Sequence, residues 1–214
     1  LDSLVTTSAE FLEFAAPNAA VFYEGNHEGS IMRRHETCLN TRLTERMRAG
    51  KKGSPVITAG IGGWLLVRVR LTKTTGLVYK IWVHHGTGSS GGPVTKGTIA
   101  TARRAAAYDA DCFITGHIHE RWVMTTMRAR CDERTGRTWT SPVLHVQCPS
   151  YKEEFSVHKT TWHTSQERPP KPVGGTFLEL AIGKDFDGLL KGGKDTRKRR
   201  LPMYKFVPNV VWPK

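Results

Sequence analysis

Three short apolar runs each stop directly before a group of metal-competent side chains, and this arrangement constrains the chain more than any other feature. Ala19–Tyr23 (AAVFY) leads into Glu24-Gly25-Asn26-His27-Glu28. Leu77–Val83 (LVYKIWV) leads into His84-His85 and a glycine-rich GTGSSGG, and Cys112–Gly116 (CFITG) leads into His117-Ile118-His119. Continuous apolar runs of this length, bounded by turn residues, read as strands buried on both faces. In sheets built from such strands, ligand sites form beyond the carboxyl ends, where loops converge on a rigid base. Imidazole and oxygen donors delivered there from three segments suit Mn, Fe, Zn, Co or Ni rather than Ca. No thiolate belongs to these clusters, which points to an open catalytic site rather than a closed structural zinc site.

The rest of the chain reads as a mixture of helices and strands. Thr7-x-x-Glu10 has the form of a capping box ahead of Phe11, Leu12, Phe14 and Ala15, predicting a short amphipathic helix. Residues 31–49 predict one helix, ended by KKGSP, and residues 97–110 predict another. LLVRVRL alternates, with Val67, Val69 and Leu71 on one side and Arg68 and Arg70 on the other. WVMTTMRAR, TWTSPVLHVQ and GTFLELAIG complete the predicted strands, with ERTGRT as a hairpin turn. The predicted fold class is α/β in the broad sense (α+β). The segment after Gly183 reads as a loosely held basic tail containing Gly and Pro.

Charge narrows the partners. The 214 residues carry a formal net charge of +13, with a pI near 9.9, and such a field attracts phosphates in nucleic acid, nucleotides or anionic lipid. Lys191–Arg200 (KGGKDTRKRR) holds six basic residues against one acidic, and Arg42, Arg46, Arg48, Lys51 and Lys52 form a second cluster. The first reads as a solvated tail or as an arm contacting nucleic acid. Hydrophobic residues at 38%, with 21 glycines, fit a folded globular domain. No uncharged apolar run approaches the roughly 18–20 residues of a membrane span. Cys38, Cys112, Cys131 and Cys148 lack metal-knuckle spacing and read as reduced thiols of a cytoplasmic protein.

Taken in order, GNHE (25–28), the strand-terminal HHG (84–86) and GHIH (116–119) resemble the motifs of the calcineurin-like metallophosphoesterases over roughly residues 1–180. The resemblance implies a β-sandwich flanked by helices over residues 1–183, with 184–214 as the basic C-terminal tail. It also implies a metal-dependent phosphoesterase with two divalent metal ions, Mn²⁺ first and Fe, Zn or Ni as alternatives. Asn26, His84 and His117 would hold one metal and His119 the other, while His27 would act on the leaving-group oxygen. Glu28 would be structural. His84 is preferred to His85 as the first polar residue after the apolar run, although consecutive strand residues face opposite ways.

The family's upstream D-x-H and G-D motifs are absent: the 24 residues before Gly25 contain a single Asp and no His. Leu1-Asp2 would then be either the tail of a G-D-x-x-D motif or simply a helix start. The expectation is an N-terminally incomplete domain lacking its first strands, either a fragment or a natural form with half its site. The +13 charge favours a nuclease or phosphodiesterase acting on nucleic acid. The competing reading is a non-catalytic nucleic-acid-binding protein or inactive remnant, with Trp64, Trp82, Trp122, Trp139 and Trp162 as stacking residues unless they are core.

Overall fold

The apolar run CFIT becomes β5 (Cys112–Thr115), the central strand of a five-stranded mixed sheet. The computed structural model describes residues 1–50, 52–87, 99–133, 136, 138–153, 155, 160–165, 169–185 and 203–211. On one side β5 pairs in parallel with β4 (Gly76–His84), on the other with β7 (Thr138–Gln147). β3 (Gly62–Arg70) runs antiparallel to β4 and β6 (Trp122–Cys131) antiparallel to β7, so these two form the edges. Central strands bury both faces and need apolar residues throughout, whereas edge strands can alternate. The sequence obeys this: Cys112 and Phe113 are fully buried, while exposed and half-buried residues alternate along β3 and β6.

Two layers cover the sheet, and they are offset. On one face Tyr79, Ile81, Cys112, Leu144 and Val146 pack with Leu65 and Val67 of β3. Leu178 and Leu180 of β8 (Phe177–Asp185) and Val210 of β9 (Met203–Val211) close this cluster. β8 and β9 form an antiparallel pair of their own. Part of the expected tail is therefore a strand contributing to the core; its basic run, 191–200, lies outside the described residues. On the opposite face α4 (Ile99–Ala107) and the residues after it cover β5 and β7, through Ala105, Tyr108, Ala110, Phe113 and Val143.

The N-terminal third builds a separate small core of Ala16, Met47 and Val56 with Leu12, Phe22 and Leu43. It comprises α1 (Asp2–Phe11), β1 (Val21–Tyr23), α2 (Asn26–His35), α3 (Leu39–Ala49) and β2 (Ile57–Ala59), with β1 and β2 paired in parallel. α1 starts at Asp2, an acidic first-turn residue, so Thr7 is interior to the helix and caps nothing. The single helix expected over 31–49 is two, because Glu36 turns left-handed (φ 51°) and ends α2. At this level the chain is a mixed α/β fold. Among the described residues no helix is long and apolar enough to cross a membrane, and the four cysteines are free thiols.

His145 of β7 is buried at 1% exposure, stacked on Phe113 of the central strand with centroids 5.0 Å apart and planes 5° apart. Its Nε2 stands 3.3 Å from Thr126 Oγ1, and its Nδ1 has no hydrogen-bond partner. Burial, aided by the charges of Arg104 and Arg128, pushes its pKa down from 6.5 to about 4. The unfolded chain therefore takes up a proton that the folded chain refuses. The stability this represents is complete above pH ~6.5 and is lost as pH falls toward ~4, amounting to about 3 kcal/mol. Urea unfolding followed across that window should show this loss in the native chain and not in His145→Phe.

Candidate functional site

Three segments reach one place because the backbone ties them together. After β1, the Glu24 N–H donates to the Gly60 carbonyl (3.1 Å), and after β4 the His85 N–H donates to the adjacent Ile61 carbonyl (2.9 Å). After β5, the Gly116 N–H donates to the His85 carbonyl (3.1 Å). The GNHE, HHG and GHIH segments thus meet beyond the carboxyl ends of β4 and β5. Gly86 permits the closest approach: at φ 98°, a Cβ there would lie 2.9 Å from the Gly116 carbonyl oxygen.

The side chains that converge are Asn26, His85 and His117. Asn26 Oδ1 is 2.7 Å from His85 Nε2, and His117 Nδ1 is 3.0 Å from the same nitrogen. The two imidazole rings meet edge to face, centroids 4.9 Å apart and planes at 72°. Burial lowers the His85 pKa, as does the charge of His117, with Glu28 acting in the opposite sense. A neutral His85 has one ring proton to share between its two neighbours, so the cluster is rich in lone pairs and short of protons. Asn26 is exposed and both histidines are half-buried, which leaves the cluster open to solvent.

His85, not His84, stands with Asn26 and His117. His84 pairs in register with Gly62 of β3 and Thr115 of β5. Its ring lies against Gly62, and its Nδ1 accepts the Gly86 N–H at 2.8 Å. His27 occupies the first turn of α2, exposed, next to Asn26. Glu28 accepts the Gly25 N–H (2.9 Å) and closes the start of that helix, the structural role expected of it. His117 and His119 both have left-handed backbones, φ 70° and 55°. Non-glycine residues adopt that region rarely and at a cost, and such outliers concentrate at functional sites.

The GHIH loop is held from below by a residue the motifs did not indicate. Gln147, buried at the end of β7, donates from Nε2 to the Gly116 carbonyl (2.6 Å), and its Oε1 accepts from Thr115 Oγ1 (2.9 Å). Its signal in the sequence is a polar residue closing the apolar half of a strand, VLHVQ. Among the described residues no set of three or more His, Cys, Asp or Glu side chains is grouped to hold a metal ion; the cluster owes its third donor to the Asn26 carboxamide.

Comparison of the chain with protein-family models, curated proteins and solved structures gives no match. Replacing Gln147 by Leu strips partners from a buried hydroxyl and from the carbonyl ahead of His117, a loss of about 1–3 kcal/mol. Equilibrium denaturation of Gln147→Leu should show a lower midpoint with an unchanged slope.

Proposed function

We propose that this chain is a metallophosphoesterase-type hydrolase whose centre takes two divalent cations, Mn²⁺ foremost, and whose substrate is a phosphodiester of nucleic acid. The observation that carries this reading is the convergence of side chains from three separate strand ends, with Asn26 Oδ1 2.7 Å and His117 Nδ1 3.0 Å from His85 Nε2. The donor set fits a first-row divalent ion: two imidazole nitrogens and a neutral amide oxygen, with no thiolate. Fe, Zn and Ni accept the same donors.

Asn26, His85 and His117 would hold the first cation; for the second this chain would supply His119, two residues along the same loop, without the aspartates and histidine of the absent D-x-H and G-D motifs. When bound, the cations supply the positive charge that acidifies a water and neutralises phosphoryl oxygens. The chain's own groups do the rest. The low pKa of His85 keeps its imidazole a lone-pair donor. His27, exposed beside Asn26, is the side chain placed to act on the leaving oxygen. Gln147 and the ladder beneath the GHIH loop keep His117 in its left-handed conformation, so the donors need little rearrangement on binding. The β8–β9 pair against the five-stranded sheet supports a two-layer sandwich of the metallophosphoesterase kind. A surplus of 13 positive charges favours a polyanion over a small monoester. Four free thiols support a cytoplasmic setting.

Calorimetric titration with Mn²⁺ and hydrolysis of a bis-aryl phosphodiester test this directly. His85→Ala and His117→Ala should each lose Mn²⁺ binding and any turnover by about 100-fold or more, whereas His84→Ala should keep its Mn²⁺ affinity within a few-fold. Equal losses in all three variants, or no Mn²⁺ uptake by the parent chain, would remove the assignment.

A further inference from the structure

Among the described residues the offset of the two covering layers leaves one face of β3 uncovered. Leu65 and Val67 point into the core against β8 and β9, so Trp64, Leu66, Arg68 and Arg70 line the other face, and all four are exposed. Trp64 is 50% exposed, unusual for the largest apolar side chain. It is braced by an aromatic group: its ring meets Trp82 at 4.4 Å and 66° and Tyr108 at 6.0 Å and 72°. Trp82 and Tyr108 stack on each other at 4.2 Å and 15°.

Charge on this part of the sheet divides sharply. Lys80 pairs with Asp109, and Arg130 with Asp109 and Asp111. Arg128 donates to the Ala105 and Ala110 carbonyls. Arg68 and Arg70, by contrast, have no hydrogen-bond or ion-pair partner among the described residues. Positive charge is thus neutralised where α4 packs and left free along the edge strand. Side chains two residues apart on a strand are about 6.7 Å apart, a step comparable to one nucleotide of an extended single strand.

We propose that this face of β3 is a track for single-stranded nucleic acid, with Trp64 stacking on a base and Arg68 and Arg70 contacting phosphates. The track starts beside the candidate site: Gly62, two residues before Trp64, pairs with His84, the neighbour of His85. It rests on the proposed phosphoesterase function only for where the strand leads, not for whether the strand binds. A second copy of the chain pairing along β3 is the competing occupant, and it would gather four unpaired arginines on one small face.

Fluorescence anisotropy with labelled dT12, run in EDTA on the whole chain, separates these. The oligonucleotide should quench tryptophan fluorescence and bind with an affinity that Trp64→Ala lowers about 10-fold, while Trp64→Phe retains most of it. Arg68→Ala with Arg70→Ala should reduce the slope of log affinity against log salt by about 1.4. Melting temperatures close to the parent's establish that the variants are folded. Equal dT12 affinity in Trp64→Ala and parent would overturn the track, as would a dimer in sedimentation equilibrium that the same substitution disperses. Trp64-dependent binding without any hydrolysis upholds the track while the phosphoesterase reading falls.

Discussion

Adjacent carbonyls at Gly60 and Ile61 receive the N–H groups of Glu24 and His85, and the rest of the site depends on that junction. The first bond belongs to the small N-terminal core, the second to the five-stranded sheet. Each core is internally packed, Ala16–Met47–Val56 in one and the Tyr79–Ile81–Cys112 cluster in the other. Two cores joined only by apolar contact could slide against each other. Hydrogen bonds from consecutive carbonyls set a register instead, and Asn26 meets His85 because that register places it there.

Much of this was legible in the sequence, for a specific reason. A strand buried on both faces must be apolar, and CFIT, between β4 and β7, obeys this; AAVFY, expected to be buried likewise, instead forms a half-buried strand paired only with β2, and the polar residues that end the three runs mark the candidate site. What the sequence could not settle was orientation. His84 and His85 are equivalent on a one-dimensional reading; only the pairing Gly62↔His84↔Thr115 shows that His84 belongs to the row of Trp64 and Trp82. Its neighbour is thereby released toward Asn26. The break at Glu36 was hidden because a left-handed non-glycine residue carries no compositional signal. β9 was hidden because Pro208 interrupts MYKFVPNVV and a basic run precedes it, although its pairing with β8 is long enough to cover the sheet.

The offset between the covering layers also explains the pattern of the edge strands. β3 turns its apolar side toward β8–β9, whereas β6 turns Met124 and Thr126 toward the face that α4 covers. Each edge therefore buries one face and exposes the other, and the two exposed faces lie on opposite sides of the sheet. Arg68 and Arg70 fall on one of them. Charged side chains on an edge strand also discourage edge-to-edge pairing, so a binding role and a protective role for these arginines act in the same direction.

The GHIH loop shows how a costly conformation is sustained. Left-handed backbones at His117 and His119 cost of order 1 kcal/mol or more each, and without compensation the loop would relax. Compensation comes from beneath it: the Cys148 N–H donates to the Thr115 carbonyl at 2.7 Å, and Gln147 binds both Thr115 and Gly116. The Thr115 and Gln147 side chains are buried, so breaking the bond between them exposes an unsatisfied partner rather than exchanging it for water. The parallel ladder between β5 and β7 thus continues past its last regular pair by means of a side chain. That extension puts the rigidity of the sheet directly under His117, at the point where the proposed chemistry requires a nitrogen lone pair to be in position before any ligand arrives.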